Sequence, residues 1–405
     1  MENSKGSKLL LFGTIAAYFL IGVEIIIMIS PFALYFYSVY APILNYFSSF
    51  PYLSWTTEFF LPHMVFVQDP VIVGVSYLQV LLVIGLVLFF SAAIPLYYGR
   101  FTNKGVVLFS FYAKIRHPQY LFLAISGFGL LLYWPRFIIL IMYVTMLFVY
   151  YFLARNEEWR MKHEVPVIYE KYMKDTPMFI PGEPGRKIYS ALFGWVRPKW
   201  LGLFTLYCTS MLLAVSLAMV LRNYTVRQLG TVLTQEITLL SVFPRPAEEI
   251  RELYQAVASS DEFVKAAAGA EHANLVYIFP GDFFLTALVT DKDRRFSDDI
   301  IERFPEVLEW HKHKFNGGLG KFFRIFHNYT KKLGSTETDY DVDRLVFVQV
   351  GNGEGRELST DELFDIGKKR HPVLIVDVDS YSHEILAIAK ASGEHKWGTV
   401  PMPSF

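Results

Sequence analysis

The chain has 405 residues, 53% of them hydrophobic and 17% aromatic, and its 38 basic residues are balanced by 38 acidic ones. A neutral chain offers no electrostatic footing for nucleic acid, so no nucleic-acid partner is expected. One cysteine excludes a disulfide framework and a cysteine metal cluster.

The apolar residues fall into runs, and spanning a bilayer takes roughly 20 of them. The first run, Leu9 to about Ser30, follows Lys5 and Lys8. It is too long for a secretory signal and lacks a small-residue cleavage pattern, so it reads as a spanning helix. Glu24 inside it calls for either a functional role or a buried hydrogen bond. Residues 41 to 73 contain no Lys or Arg, and a second span follows from Val75 to about Tyr98. The next connection is basic, with Arg100, Lys104, Lys114 and Arg116. Leu121 to Trp134 and Phe137 to Leu153 are each short for a span, but they flank "WPR" (Trp134, Pro135, Arg136), a tight-turn signal. They read as a helical hairpin that crosses and returns. Leu201 to Leu221, which contains Cys208, is the last span.

The Lys and Arg distribution orients these spans. The first loop is expected outside, the basic connections in the cytoplasm, residues 154 to 199 also in the cytoplasm, and the carboxy-terminal part on the outer side. Arg222 and Arg227 oppose the last step slightly. The expected fold is an α-helical integral membrane core of about five transmembrane helices, including the short hairpin. A soluble α/β or α+β domain follows it. The boundaries are residues 1–199 for the core, 200–222 for the last span and 223–405 for the soluble domain.

Beyond Arg222 the long apolar runs stop and alternating patterns begin. "AEEIRELYQAVASSDEFVKAAAG" from Ala247 has helical periodicity, "NLVYIF" and "FFLTALVT" flank "PGD" as paired strands, and "SDDIIERFPEVLEWHKHKF" is helical. "RLVFVQV" and "PVLIVDVD" are two further strands, with a capping box of Ser359 and Glu362 before a short helix between them. "GNGEG" (Gly351 to Gly355) lacks the Lys-Ser/Thr of a phosphate loop and reads as a turn. His311, His313 and His327 read as a solvated helix end rather than a metal site, and Asp377 and Asp379 as structural or surface residues. The "NYT" triplets at Asn223 and Asn328 would be glycosylation acceptors if the domain faced a eukaryotic lumen. The domain carries no assignable chemistry; partner or substrate recognition, including a protein partner, is its expected role.

Chemistry concentrates in "KIRHPQY" (Lys114 to Tyr120) and "RNEEW" (Arg155 to Trp159). A hairpin brings its two open ends to one membrane face, so these clusters are expected to be neighbours. Pro118 suits the first turn of a helix. The free N–H groups there, with Arg116 and His117, favour a carboxylate, whereas Glu157 and Glu158 favour a cation or hydroxyls. A zwitterion carrying a ribose would satisfy both halves. The bland alternatives are a snorkelling anchor for Arg116 and His117 and solvated helix-end charges for the two glutamates.

R-H-P-x-Y, a helical hairpin, R-x-E-E, the paired Tyr169 and Tyr172, and "TPMFIP" (Thr176 to Pro181) together resemble the isoprenylcysteine carboxyl methyltransferase and phospholipid methyltransferase superfamily. The likeness covers about residues 75 to 185 and includes Gly99 and Arg100 upstream. It implies an integral-membrane enzyme that uses S-adenosylmethionine on a lipophilic or lipid-linked acceptor entering from membrane lipid. It also implies that Arg116, His117 and Tyr120 bind the amino-acid part of the methyl donor at the cytoplasmic face. Glu157 or Glu158 would then bind its ammonium or ribose, Tyr112 and Tyr172 would line the pocket, and Arg155 would lie toward the acceptor. No metal is implied. A thiol or amine acceptor would need a base, for which Glu158 is nearest, and a carboxylate acceptor would need none.

The chain departs from that pattern at Ser110, Phe122, Val165-Pro166 and Met178. These departures keep a catalytically inactive scaffold or sensor among the readings. A steroid- or sterol-type reductase using NADPH is the other rival.

Overall fold

The structure is a computed structural model that describes residues 19, 41–63, 65–101, 109–234, 237–280, 342–351 and 358–390. The first apolar run apart from Phe19, Lys104, "FFLTALVT", the helix expected from Ser297, His311, His313, His327, Asn328 and most of "GNGEG" lie outside the described residues. Helices run over α1 (Ala41–Ser48), α2 (Pro70–Tyr77), α3 (Leu81–Phe101), α4 (Pro118–Tyr133), α5 (Phe137–Glu164), α6 (Pro166–Asp175), α7 (Pro184–Phe193), α8 (Lys199–Val226), α9 (Ala247–Ala258), α10 (Asp261–Ala267) and α11 (Thr360–Leu363). Strands are β1 (Thr231–Leu233), β2 (Thr238–Ser241), β3 (Leu275–Pro280), β4 (Val342–Val350), β5 (Arg370–Asp379) and β6 (Ile385–Lys390). The chain divides into two compact units: Met1–Met28 with Pro70–Arg222, and Ile29–Asp69 with Asn223–Phe405.

Among the described residues of the first unit three helices are long and apolar enough to cross a membrane: Pro70–Leu96, Phe137–Glu164 and Lys199–Val226. The first and last bury little of their surface within the protein, as helices facing lipid do. α4, with 16 residues, is shorter. α3 and α4 approach unusually closely. A Cβ added at Gly85 would strike the backbone of Ser126, and one at Gly129 the backbone of Leu82. The Ser126 hydroxyl donates to the Leu82 carbonyl at 3.1 Å. Small residues at a helix crossing are how membrane helices gain contact when hydrophobicity cannot distinguish protein from lipid.

Pro118 stands in the first turn of α4, and Trp134 to Arg136 join α4 to α5. α5 does not stop near Leu153. It continues through "RNEEWRMKHE" to Glu164, because Arg, Glu, Met and Lys are good helix formers and only Pro166 forbids further propagation. Glu157 and Glu158 therefore lie within a helix rather than at its end, which corrects the helix-end expectation.

Among the described residues the second unit is built on one six-stranded sheet in the order β1-β2-β3-β4-β5-β6. All neighbours are antiparallel except β2 and β3, which are parallel and joined through α9 and α10. The helical stretch expected from Ala247 is present as two helices, because Ser260 caps a new start by accepting from Phe263 N–H at 3.2 Å. The capping box of Ser359 and Glu362 is present at α11. Alternation along the strands produces two apolar faces. Leu239, Val276, Ile278, Leu345, Phe347 and Val376 pack with Ile250, Leu253 and Val257 of α9. Leu240, Val242, Tyr277, Phe279, Val346 and Ile375 pack with Leu363, Phe364, Val226 and Val65.

Val65 comes from the loop that precedes α2, so the sheet-containing unit is not contiguous in sequence. Phe66 N–H donates to the Val242 carbonyl at 2.9 Å, and its ring stacks on Phe243 at 4.9 Å. Glu58 pairs with Arg370 at 3.3 Å, and Tyr224 donates to Asp69 at 2.8 Å. Asp377 and Asp379 are structural, as expected. Asp377 takes a two-pronged bond from buried Arg344 at 2.6 Å, and Asp379 accepts from the N–H groups of Tyr381 and Ser382.

Candidate functional site

Residues separated by about forty positions meet where the start of α4 lies against α5. Arg116 Nε donates to Glu158 Oε1 at 2.7 Å, and both side chains are buried. The His117 ring stands between the two glutamates, Nδ1 at 3.4 Å from Glu157 and Nε2 at 3.5 Å from Glu158. Those are ion-pair distances, and neither ring nitrogen makes an aligned hydrogen bond. Tyr120 Oη donates to Glu157 Oε1 at 2.5 Å. Arg116 and His117 lie just before α4 and Tyr120 in its first turn, which sets all three at one end of the helix, and adjacency in α5 lets Glu157 and Glu158 face different members of the cluster.

The closing motif holds this arrangement through its backbone. Arg116 N–H donates to the Pro177 carbonyl at 2.9 Å and His117 N–H to the Met178 carbonyl at 3.1 Å. Because backbone makes these bonds, they do not depend on the side chain at 178; the Met178 side chain packs against the cluster that holds Tyr120 and Tyr150. Arg116 Nη1 donates to the Met173 carbonyl at 3.0 Å and to the Thr176 carbonyl. A cation at these C-terminal carbonyls complements both the orphan acceptors and the dipole of α6. Arg116 is thus a brace whose Nε and Nη1 donate to protein acceptors.

Two tyrosines are spent likewise. Tyr172 Oη donates to the Tyr112 carbonyl at 2.5 Å, and burial pushes its phenol up to about 12, with the Arg116 charge opposing. Tyr112 Oη donates to Gln119 at 3.2 Å. Tyr169 is buried, and burial followed by the Glu158 charge raises its phenol as well. For His117, burial alone would lower the imidazole, but the adjoining Glu157 and Glu158 outweigh it and raise it above the ordinary histidine value.

The groups still able to meet a ligand are fewer than the sequence proposes. Glu157 is 25% exposed at its side chain, Arg155 is 61% exposed and 3.9 Å from Glu158, and Tyr120 stacks on Tyr150 at 5.2 Å. Phe122 belongs to a separate apolar cluster with Ala92 and Tyr112, its ring 5.0 Å from Phe111. It lines the α3 side of α4 and not the ionic cluster.

Glu183 is the participant sequence reasoning missed. Its Oε1 is 3.7 Å from Arg116 Nη2 and 3.4 Å from Met178 N, and its Oε2 is 3.6 Å from Arg186. Gly182 and Glu183 both have positive φ, which turns the chain sharply after Pro181. The "PGEPG" string signals that turn but not the carboxylate's destination. Among the described residues no group of His, Cys, Asp and Glu could hold a metal. Compared with protein-family models, with curated proteins and with solved structures, the chain finds no match in any of the three.

Proposed function

We propose that the chain is an integral-membrane methyltransferase that uses S-adenosylmethionine on a lipophilic or lipid-linked acceptor. The observation that carries the proposal is the meeting of R-H-P-x-Y with R-x-E-E in one buried ionic cluster. The residues fit the group. Glu157 offers a partly exposed carboxylate for an ammonium or ribose, His117 brings buried nitrogens without aligned partners, and the Tyr120, Tyr150 and Phe179 rings supply π faces for a cation. When bound, the donor supplies an electrophilic methyl group whose in-line transfer disperses positive charge. Alignment and exclusion of water are what this chain would contribute. Arg116, Tyr112 and Tyr172 hold the frame, Glu157, His117 and Tyr120 hold the donor, and Arg155 orients an anionic acceptor. Glu158, engaged with Arg116, joins Glu157 in favouring the charged form of His117 and would accept a proton only for a thiol or amine acceptor.

Membrane topology follows from chain parity. Residues 41–69 and 223–390 share one folded unit, and a unit cannot fold from both sides of a bilayer. On this reading an even number of crossings separates Asp69 from Asn223, while the membrane-length helices among the described residues of that interval are three. α4 supplies the fourth crossing: 16 residues rise about 24 Å against a hydrocarbon core of about 30 Å, a mismatch that local thinning absorbs. With the basic connections in the cytoplasm, the proposed sidedness is cytoplasmic for the ionic cluster and, from the Lys and Arg distribution, outer for the carboxy-terminal part.

The test is calorimetry of the detergent-solubilised full chain with S-adenosylhomocysteine and with NADPH. Binding of the first is expected, weakened at least about tenfold by Glu157→Gln, the worth of a hydrogen bond to a charged group. NADPH binding alone would make the protein a reductase, and binding of neither would make it a scaffold; either result sinks the proposal.

A further inference from the structure

We infer that α7 and the residues after it form an anionic-phospholipid binding surface at the membrane interface. This inference rests on the membrane-crossing part of the reading above and is independent of methyl transfer.

α7 is ten residues long and buries none of them, although half are apolar. On a helical projection at 3.6 residues per turn, Ile188 and Leu192 share one face, Arg186, Lys187 and Ser190 occupy an opposite arc of about 100°, and Tyr189 and Phe193 lie between. The intermediate flank has a partner: Tyr189 Oη is 3.5 Å from the Lys199 carbonyl, its ring stacks on Phe193, and a Cβ at Gly202 would strike the tyrosine hydroxyl. α7 is therefore folded against the first turn of α8. Ile188 and Leu192 are left 54% and 58% exposed.

The occupant of that face follows from position and charge. α8 is a membrane-length helix beginning at Lys199, so a helix lying on its first turn sits at the depth of the lipid headgroups. Trp195 and Trp200 are both largely exposed there, in the place where tryptophan anchors an interface. From Pro184 to Leu201 the chain carries Arg186, Lys187, Arg197 and Lys199 and no acidic residue. An amphipathic helix with a basic polar arc, apolar anchors and flanking tryptophans matches a negatively charged lipid leaflet. Arg186, Lys187 and Ser190, with Glu183 and Ala191, line an open depression that suits a phosphate-bearing headgroup. Glu183 also reaches Arg116, so the surface is tied directly to the ionic cluster.

The experiment titrates the detergent-solubilised full chain with short-chain phosphatidylglycerol, with the matching phosphatidylcholine and with inorganic phosphate, and follows tryptophan fluorescence. Phosphatidylglycerol is expected to bind most tightly. Arg186→Gln with Lys187→Gln should weaken it about thirtyfold, at roughly fivefold per basic residue removed near a charged leaflet. Arg186→Lys with Lys187→Arg should preserve it, and Ile188→Ser with Leu192→Ser should weaken it with both charges in place. Equal binding of the two lipids, no loss in the glutamine variant, or inorganic phosphate binding as tightly as phosphatidylglycerol would each overturn the inference. None of these arms involves S-adenosylhomocysteine, so failure here is separable from failure of the methyltransferase proposal.

Discussion

Arg116→Met removes the brace of the ionic cluster, and its cost can be worked from the contacts. The substitution leaves the Glu158 carboxylate buried, with His117 at 3.5 Å and Arg155 at 3.9 Å as its remaining cationic neighbours. Arg155 is mostly exposed, so its screened contribution is at most about 1 kcal/mol. Stripping one partner from a buried ion pair costs about 3–5 kcal/mol, and losing the cation at the C-terminal carbonyls of α6 adds up to about 1 kcal/mol. A total near 4–5 kcal/mol corresponds to a fall in melting temperature of roughly 10–20 °C for a unit of this size. Thermal unfolding followed by tryptophan fluorescence measures it, since Trp134 and Trp159 lie in the same unit. Arg155→Gln, the exposed control, should cost less than about 1 kcal/mol. Arg116→Met with Glu158→Met should be less harmful than the sum of the single changes by about 2–3 kcal/mol, because no charge is then left buried alone. A single substitution costing under about 1 kcal/mol, or additive single and double variants, would refute the assignment of Arg116 as a brace.

The same cluster predicts a pH dependence. His117 has its pKa raised in the folded state, so the stability it contributes is complete below the unfolded-chain value of about 6.5 and is lost as pH rises through the folded value. Melting temperature should decline over that interval in the native protein and lose this slope in His117→Gln; a flat native profile would contradict the pairing. Sidedness is tested in a Cys208→Ser background carrying Tyr52→Cys, Tyr381→Cys or Lys171→Cys one at a time. A membrane-impermeant thiol reagent added to sealed vesicles should label the first two from one side and the third from the other, and Tyr52→Cys and Tyr381→Cys labelled from opposite sides would defeat the parity argument.

The cluster was legible because its motifs are separated by apolar stretches of helical length, and adjacency of the open ends needs no knowledge of side-chain geometry. What each residue does there was less legible. Arg116, Tyr112 and Tyr172 have the chemistry of ligand-binding groups, yet their donors go to Glu158, to Gln119 and to backbone carbonyls, and no sequence pattern announces a backbone acceptor. Glu183 was invisible for a related reason: its partner is set by a positive-φ turn, which composition signals without indicating direction. In the sheet-containing unit β4, β5 and the α11 cap stand out as runs of Val, Ile, Leu and a capping box. β1 and β2 are three and four residues long and escape any periodicity test. The contribution of Val65 and Phe66 to that unit escaped because sequence reading assumes that domains are contiguous.

That shared unit sets an order of events during synthesis. Phe66 leaves the ribosome before Val242, the residue whose carbonyl it will bind, and at roughly 5–20 residues per second the interval is on the order of ten to thirty seconds. During that time Glu58 has no Arg370 and Val65 has no sheet to cover. The early loop must stay unengaged while every intervening helix is made, and a chain ended at Arg222 would display that loop with nothing left to fold against.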